Sequence, residues 1–284
     1  MTAAASGYCE QLVREADKDR FLATLFAPAA RRPALFSLYA FNAEIARVRD
    51  VAREPMPGEI RLQWWREVVE GGRSEEARAH PVASALLDTV THYRLPVHSL
   101  AELVDAHAFD LYDDPMPGLV HAEAYAAKTS ATIFDLAARI LGGTDAAVGN
   151  LARHAGIAYA LVQQLRLFPR HAARRQLFIP LEILQRYGAN PGDVFAGTST
   201  SQLRAALAEM RLHIRGHLTA ADDLLATAPP AVLPAFLPIA LVRPLLKRME
   251  RRSYDPFGTI DVPQWRRQWT LWRAARHPRA MAAR

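Results

Sequence analysis

Apolar residues recur at intervals of three and four along almost the whole chain, and alternation with period two never persists. A chain patterned this way buries its apolar stripes by packing helix on helix, so the expected fold class is all-α. Prolines punctuate the pattern. Pro33 opens a helix expected to run to about Ala52, with Leu35, Leu38, Tyr39, Asn42, Ile45, Ala46 and Arg49 on one stripe, and Pro55 and Pro57 stop it. A second helix then turns Ile60, Trp64, Val68 and Val69 inward until Gly71-Gly72. Pro81 and Pro96 stand at the first turns of the next two. After the break at Pro115-Met-Pro-Gly118, further helices are expected over about 121–141, 145–167, 201–226, 232–252 and 262–275.

Half of the 284 residues are hydrophobic, enough for a sizeable core, and no repeat or long linker divides them, so a single domain over 1–284 is expected. The charge is uneven. Lysine occurs only at Lys18, Lys128 and Lys247, and the remaining cations are arginines. The basic C-terminal segment, 243–284, holds 11 basic against 3 acidic residues, a net +8, whereas the whole chain carries +6. Such a segment suits an acidic protein, a phosphorylated ligand or an anionic membrane surface, and with no reader motif beside it nucleic acid is not an expected partner. A lone Cys9 excludes an intrachain disulfide, no signal-peptide pattern opens the sequence, and a cytoplasmic protein is expected, peripheral on the inner face of the membrane if the basic segment docks there. The longest apolar stretch, 231–242, is broken by Pro234 and Pro238 and falls short of the roughly 20 residues of a spanning helix.

The chemistry must sit on inward-facing polar residues. Arg31-Arg32 is followed by Leu38-Tyr-Ala-Phe-Asn-Ala-Glu-Ile-Ala-Arg-Val-Arg-Asp50; later come Tyr125-Ala-Ala-Lys-Thr-Ser-Ala131, Gly156-Ile-Ala-Tyr-Ala-Leu-Val-Gln-Gln-Leu-Arg-Leu167 and Ala173-Arg-Arg-Gln-Leu-Phe-Ile-Pro180. In order and spacing these resemble the squalene/phytoene synthase family. There a Tyr-Ala-Phe opening leads into Asp-x-x-x-Asp, and a second aspartate-bearing helix precedes an Arg-Arg-x-x-x-Tyr-Leu-Pro-like stretch. The resemblance implies an isoprenoid-synthase-type bundle of helices around a central cavity, in which two prenyl diphosphates condense head to head. It places Tyr39, Asn42, Asp50, Gln163 and Arg166 toward the cavity, with positions 42, 46 and 50 facing 163 and 167. The departing diphosphates need Mg²⁺, and Mg²⁺ needs oxygen ligands, which the family supplies as four aspartates at i and i+4 on two helices.

The four corresponding positions here are Ala46, Asp50, Leu167 and His171. Two cannot ligate a metal and neutral imidazole is a poor ligand for a hard cation, so no Mg²⁺ cofactor and no metal site are expected. Arginines crowd the same places, and Arg170, Arg174 and Arg175 form an anion-binding candidate that, with the basic tail, would engage an anionic head group or acidic partner. The departure, together with Glu59-Ile-Arg-Leu-Gln-Trp-Trp-Arg66 and the later Gln268-Trp269 and Leu271-Trp272-Arg273, resembles the family branch related to the mitochondrial complex I assembly factor. That branch implies a scaffold that lost condensation chemistry, works with a respiratory-complex subunit or assembly partner, and holds at most a prenyl or other lipid-like ligand. The alternative is an active prenyltransferase of phytoene or squalene synthase type, with Mg²⁺ and rearranged ligands. Three other features read more plainly. Asp110-Leu-Tyr-Asp-Asp114 ends at Pro115, which points to two exposed carboxylates closing a loop. His213 and His217, one turn apart, have no evident third ligand for zinc. Trp64-Trp65 reads as a core ring beside a partly exposed one.

Overall fold

The computed structural model describes residues 2–52 and 54–277, and every regular element among them is helical. The first helices are α1 (Ala3–Ala16), α2 (Lys18–Thr24), α3 (Arg32–Ala46), α4 (Val48–Val51), α5 (Pro55–Val69), α6 (Ser74–Ala79), α7 (Pro81–Tyr93) and α8 (Val97–Ala106). Then follow α9 (Leu119–Ala126), α10 (Thr132–Ile140), α11 (Ala146–Arg166), α12 (Phe168–Ala173), α13 (Leu181–Arg186), α14 (Pro191–Phe195), α15 (Ser201–Leu225), α16 (Leu233–Phe236), α17 (Val242–Met249) and α18 (Gln264–Arg276). Arg279 and Arg284 of the basic tail lie outside the described residues.

Local chemistry sets the boundaries of the long helices. The Asp145 carboxylate accepts from the Val148 N–H at 2.8 Å and caps α11, and the Thr200 hydroxyl does the same for α15 through Leu203 at 3.1 Å. In α11 nearly every position from Ala155 to Val162 is buried, because α15 packs along one side of it and α10 along another. A π-helical turn, Ala127–Ala131, joins α9 to α10 and lies against α11 at Gly156. A Cβ at Gly156 would stand 2.2 Å from the Ala131 Cα, so only glycine permits this crossing.

Four expected details differ. The helix opened by Arg32-Pro33 stops at Ala46, and α4 resumes it after the bend at Arg47. Pro55 and Pro57 do not merely end a helix; they occupy the first turn of α5, where missing N–H groups cost nothing. Its buried stripe is Leu62, Trp65, Val68 and Val69, whereas Ile60 is exposed and Trp64 half-buried. The segment from Pro230 to Met249 is broken into α16, α17 and two 3₁₀ turns, because Pro234, Pro238 and Pro244 withhold N–H groups that a continuous helix would use. By length and composition that segment could cross a membrane, yet 56% of it is buried within the protein, the pattern of a core element.

Candidate functional site

Helices α1 to α4, α11 and α18 surround a cavity of about 810 Å³. On α3 and α4, positions 42, 46 and 50 lie along one face, and α11 offers Tyr159, Gln163 and Arg166 across from them. The short loop before α2, the π turn at Ser130 and the start of α18 close the rest with Asp17, Asp19, Arg20, Asp261, Gln264 and Arg267. The cavity therefore brings together Asn42, Ala46, Asp50, Gln163, Arg166, Leu167 and Arg170 of the residues singled out in the sequence. Tyr39 is buried beneath the Arg20 guanidinium, and His171, Arg174 and Arg175 do not line the cavity.

Its walls are built from carboxylate–guanidinium pairs. Arg267 donates through Nη1 to Asp19 at 2.6 Å, with both side chains 7% exposed, and through Nη2 to Asp261, also at 2.6 Å. Arg166 approaches Asp261 at 3.5 Å and donates to the Gln163 Oε1 at 3.0 Å. Asp17 caps α2 by accepting from the Arg20 N–H at 3.0 Å, and it pairs with the Arg20 guanidinium at 2.8 Å. That guanidinium lies 5.0 Å from the Tyr159 ring and 5.6 Å from the Tyr39 ring. Burial, reinforced by Asp17, outweighs Arg267 and pushes the Asp19 carboxyl up to about 6. Burial also raises the Tyr39 and Tyr159 phenols, so both stay protonated at neutral pH. Within this set the Gln163 Nε2 is buried and has no hydrogen-bond partner.

The donor set does not fit a magnesium cluster. Asp50 accepts from both Arg170 and Arg174, the latter at 2.5 Å. Burial would raise its carboxyl, but the two guanidinium groups prevail and hold it below the usual range. His171 sits against the Phe178 ring at 4.5 Å, and burial lowers its imidazole to about 4, leaving it neutral at pH 7. Ala46 and Leu167 contribute no donor atom. The other cavity aspartates, Asp17, Asp19 and Asp261, are each paired with arginine. Among the described residues no group of three or more His, Cys, Asp or Glu side chains could hold a metal ion. What the cavity offers instead is cationic and hydrogen-bond-donating: neither Lys18 nor Arg47 is paired with a carboxylate among the described residues.

The remaining motifs take structural places. Asp110 is not an exposed loop carboxylate; it accepts from the Tyr125 hydroxyl at 2.7 Å and contacts the His107 Nδ1 at 2.6 Å, whereas Asp113 pairs with Arg49 and Asp114 is exposed. His213 turns to Glu209 at 3.5 Å, while His217 meets His154 at 3.0 Å and Glu123 at 3.2 Å. Arg175 covers the Phe195 ring, and its φ of 58° places it in the left-handed region. Sequence reading missed Asp17, Asp19, Arg20, Asp261 and Arg267. The one signal for the first three was the Ala5, Cys9, Val13 spacing of α1, which predicts a helix ending just before them.

Comparison with known proteins agrees with this geometry. The squalene/phytoene synthase family model matches residues 13–273. The chain is 31% identical over 263 residues to human NADH dehydrogenase (ubiquinone) complex I, assembly factor 6, covering 90% of this chain and 79% of that protein. It is 22% identical over 284 residues to the phytoene synthase of Arthrospira platensis, covering 93% of this chain and 90% of that one. Among solved structures, a dehydrosqualene synthase superposes with a TM-score of 0.85 at 15% identity, covering 98% of this chain and 97% of its own. A squalene synthase from Alicyclobacillus acidocaldarius does so at 0.78 and 21%, covering 89% and 96%. The all-α architecture is thus that of the isoprenoid synthases, and the chain belongs to the squalene/phytoene synthase family, on the branch of the complex I assembly factor 6 proteins.

Proposed function

We propose that this protein is a non-condensing member of its family that serves the assembly of a respiratory complex and uses its cavity, without metal, to hold an anionic lipid-like ligand. The observation that carries the reading is the capture of Asp50 by Arg170 and Arg174 where a metal ligand would have to be free. Mg²⁺ competing for that carboxylate would have to displace two guanidinium groups and find its other ligands elsewhere. The relatives at about 30% identity, named as complex I assembly factors, support the assembly role. A cavity of about 810 Å³ favours the second reading, a prenyltransferase with rearranged ligands, because a pure scaffold has no need of it. The ligand proposal accounts for the same space with the residues present: Lys18, Arg47 and the Gln163 Nε2 can all donate to phosphate oxygens.

Deleting the gene in its own organism tests the assembly role. The expected outcome is a selective fall in assembled, NADH-oxidising complex I on native gels, restored by the wild-type gene, with other respiratory complexes unchanged. Normal complex I together with altered isoprenoid content would support the prenyltransferase reading instead.

A further inference from the structure

Helix α18 carries a second apolar face, of aromatic rings, on the side away from the core. Arg267, Leu271 and Ala274 face the core, and the largest rings face away from it. Trp265, Trp269 and Trp272 stand at i, i+4 and i+7, a single stripe on the opposite side, and are 65%, 56% and 40% exposed. Three of the chain's five tryptophans lie on this stripe. Trp269 and Trp272 stack at 5.1 Å, and the Arg266 and Arg276 guanidinium groups lie over Trp265 and Trp272. Arg266, Arg273 and Arg276 pair with no carboxylate among the described residues. Three large rings exposed side by side leave a contiguous apolar surface uncovered.

We infer that the tryptophan face of α18 docks the protein on an anionic lipid bilayer. Indole rings carry an apolar body and one N–H, the combination that settles at the boundary between acyl chains and head groups. The unpaired arginines beside them complement lipid phosphates, within a segment of net +8. Sequence reading placed such attraction on Arg170, Arg174 and Arg175 together with the basic C-terminal segment, but Asp50 already engages the first two. On its inner side the same helix delivers Gln264 and Arg267 to the cavity wall, so a docked bilayer would lie one helix away from the proposed lipid-like ligand.

The test is sedimentation of the full chain with vesicles of phosphatidylcholine alone and of phosphatidylcholine with phosphatidylglycerol, while tryptophan emission is followed. The inference expects binding to the anionic vesicles, a blue shift of emission, and loss of binding at about 0.5 M salt, where screening shortens to a few ångströms. Combined Trp265→Ala, Trp269→Ala and Trp272→Ala substitution should weaken binding at least about tenfold, and Arg266→Gln with Arg273→Gln should weaken it and flatten its salt dependence. If the triple variant does not fold, shielding of wild-type tryptophan from iodide by anionic vesicles decides. Equal binding to both vesicle types, undiminished binding of the triple variant, or no shielding would overturn the inference. So would a vesicle-free dimer that the triple substitution abolishes, because the face would then be an interface between two copies.

Discussion

Asp19 and Arg267 join the two ends of the chain in a pair that water scarcely reaches. Arg267 also holds Asp261, so the pair is part of a three-membered network. The pair is also sensitive to pH. With the Asp19 carboxyl raised to about 6 from an ordinary 3.8, the folded state binds a proton more tightly than the unfolded chain between those values. This group's contribution to stability is therefore fully present below about pH 4 and is lost as pH rises through about 6. Measured against Asp19→Asn, which cannot titrate here, the wild type should lose on the order of 2 kcal/mol of stability between about pH 4.5 and about pH 7. Urea midpoints at the two values check this, and a gap independent of pH would contradict it. The pair was invisible in the sequence for a physical reason. Asp17-Lys-Asp-Arg20 has the composition of a solvated turn, and only a partner 248 positions away makes it an interior wall. Asp50 was legible through the family resemblance, which aligns it with the last aspartate of the first motif; its capture by Arg170 and Arg174 was not, since a motif says nothing about which ions meet in the folded chain.

The helices were largely readable because a stripe of period 3.6 survives in each, and α11 and α15 fall within a residue or two of expectation. Reading failed where local chemistry overrides the stripe. Pro55 and Pro57, expected to stop the preceding helix, start the next one instead, and its buried face holds Leu62 and Trp65 rather than Ile60. The contact between α11 and the π turn gives the sharpest prediction about an element. At Gly156 a methyl group would collide with Ala131 backbone atoms at 2.2 and 2.4 Å, so the two elements would have to separate. Gly156→Ala should cost about 3 kcal/mol. Gly216, in the interior of α15 with nothing within 4 Å of its would-be Cβ, is the control: Gly216→Ala should stabilise by about 0.5–1 kcal/mol. Denaturant unfolding of the two variants separates these signs, and a tolerated Gly156→Ala would mean the crossing is looser than described.

The bundle as a unit has the fold of the squalene and dehydrosqualene synthases and encloses a cavity whose carboxylates are paired with arginine. Where condensation would need carboxylates free to gather Mg²⁺ around two departing diphosphates, each cavity aspartate is answered by arginine, and His171 is held neutral. Arginine can neutralise a bound phosphate, but it cannot reproduce a cluster of divalent ions that stabilises charge as it develops on a leaving group. Under the proposed function the fold persists because the same apolar stripes that build the cavity also build the core, and condensation would be lost through a few side chains that the core does not need. The most direct measurement is to incubate the purified protein with farnesyl or geranylgeranyl diphosphate and Mg²⁺, extract with organic solvent and search the extract by mass spectrometry for head-to-head hydrocarbon. The account predicts none above the protein-free control; a hydrocarbon product that forms only with protein and Mg²⁺ together would contradict it.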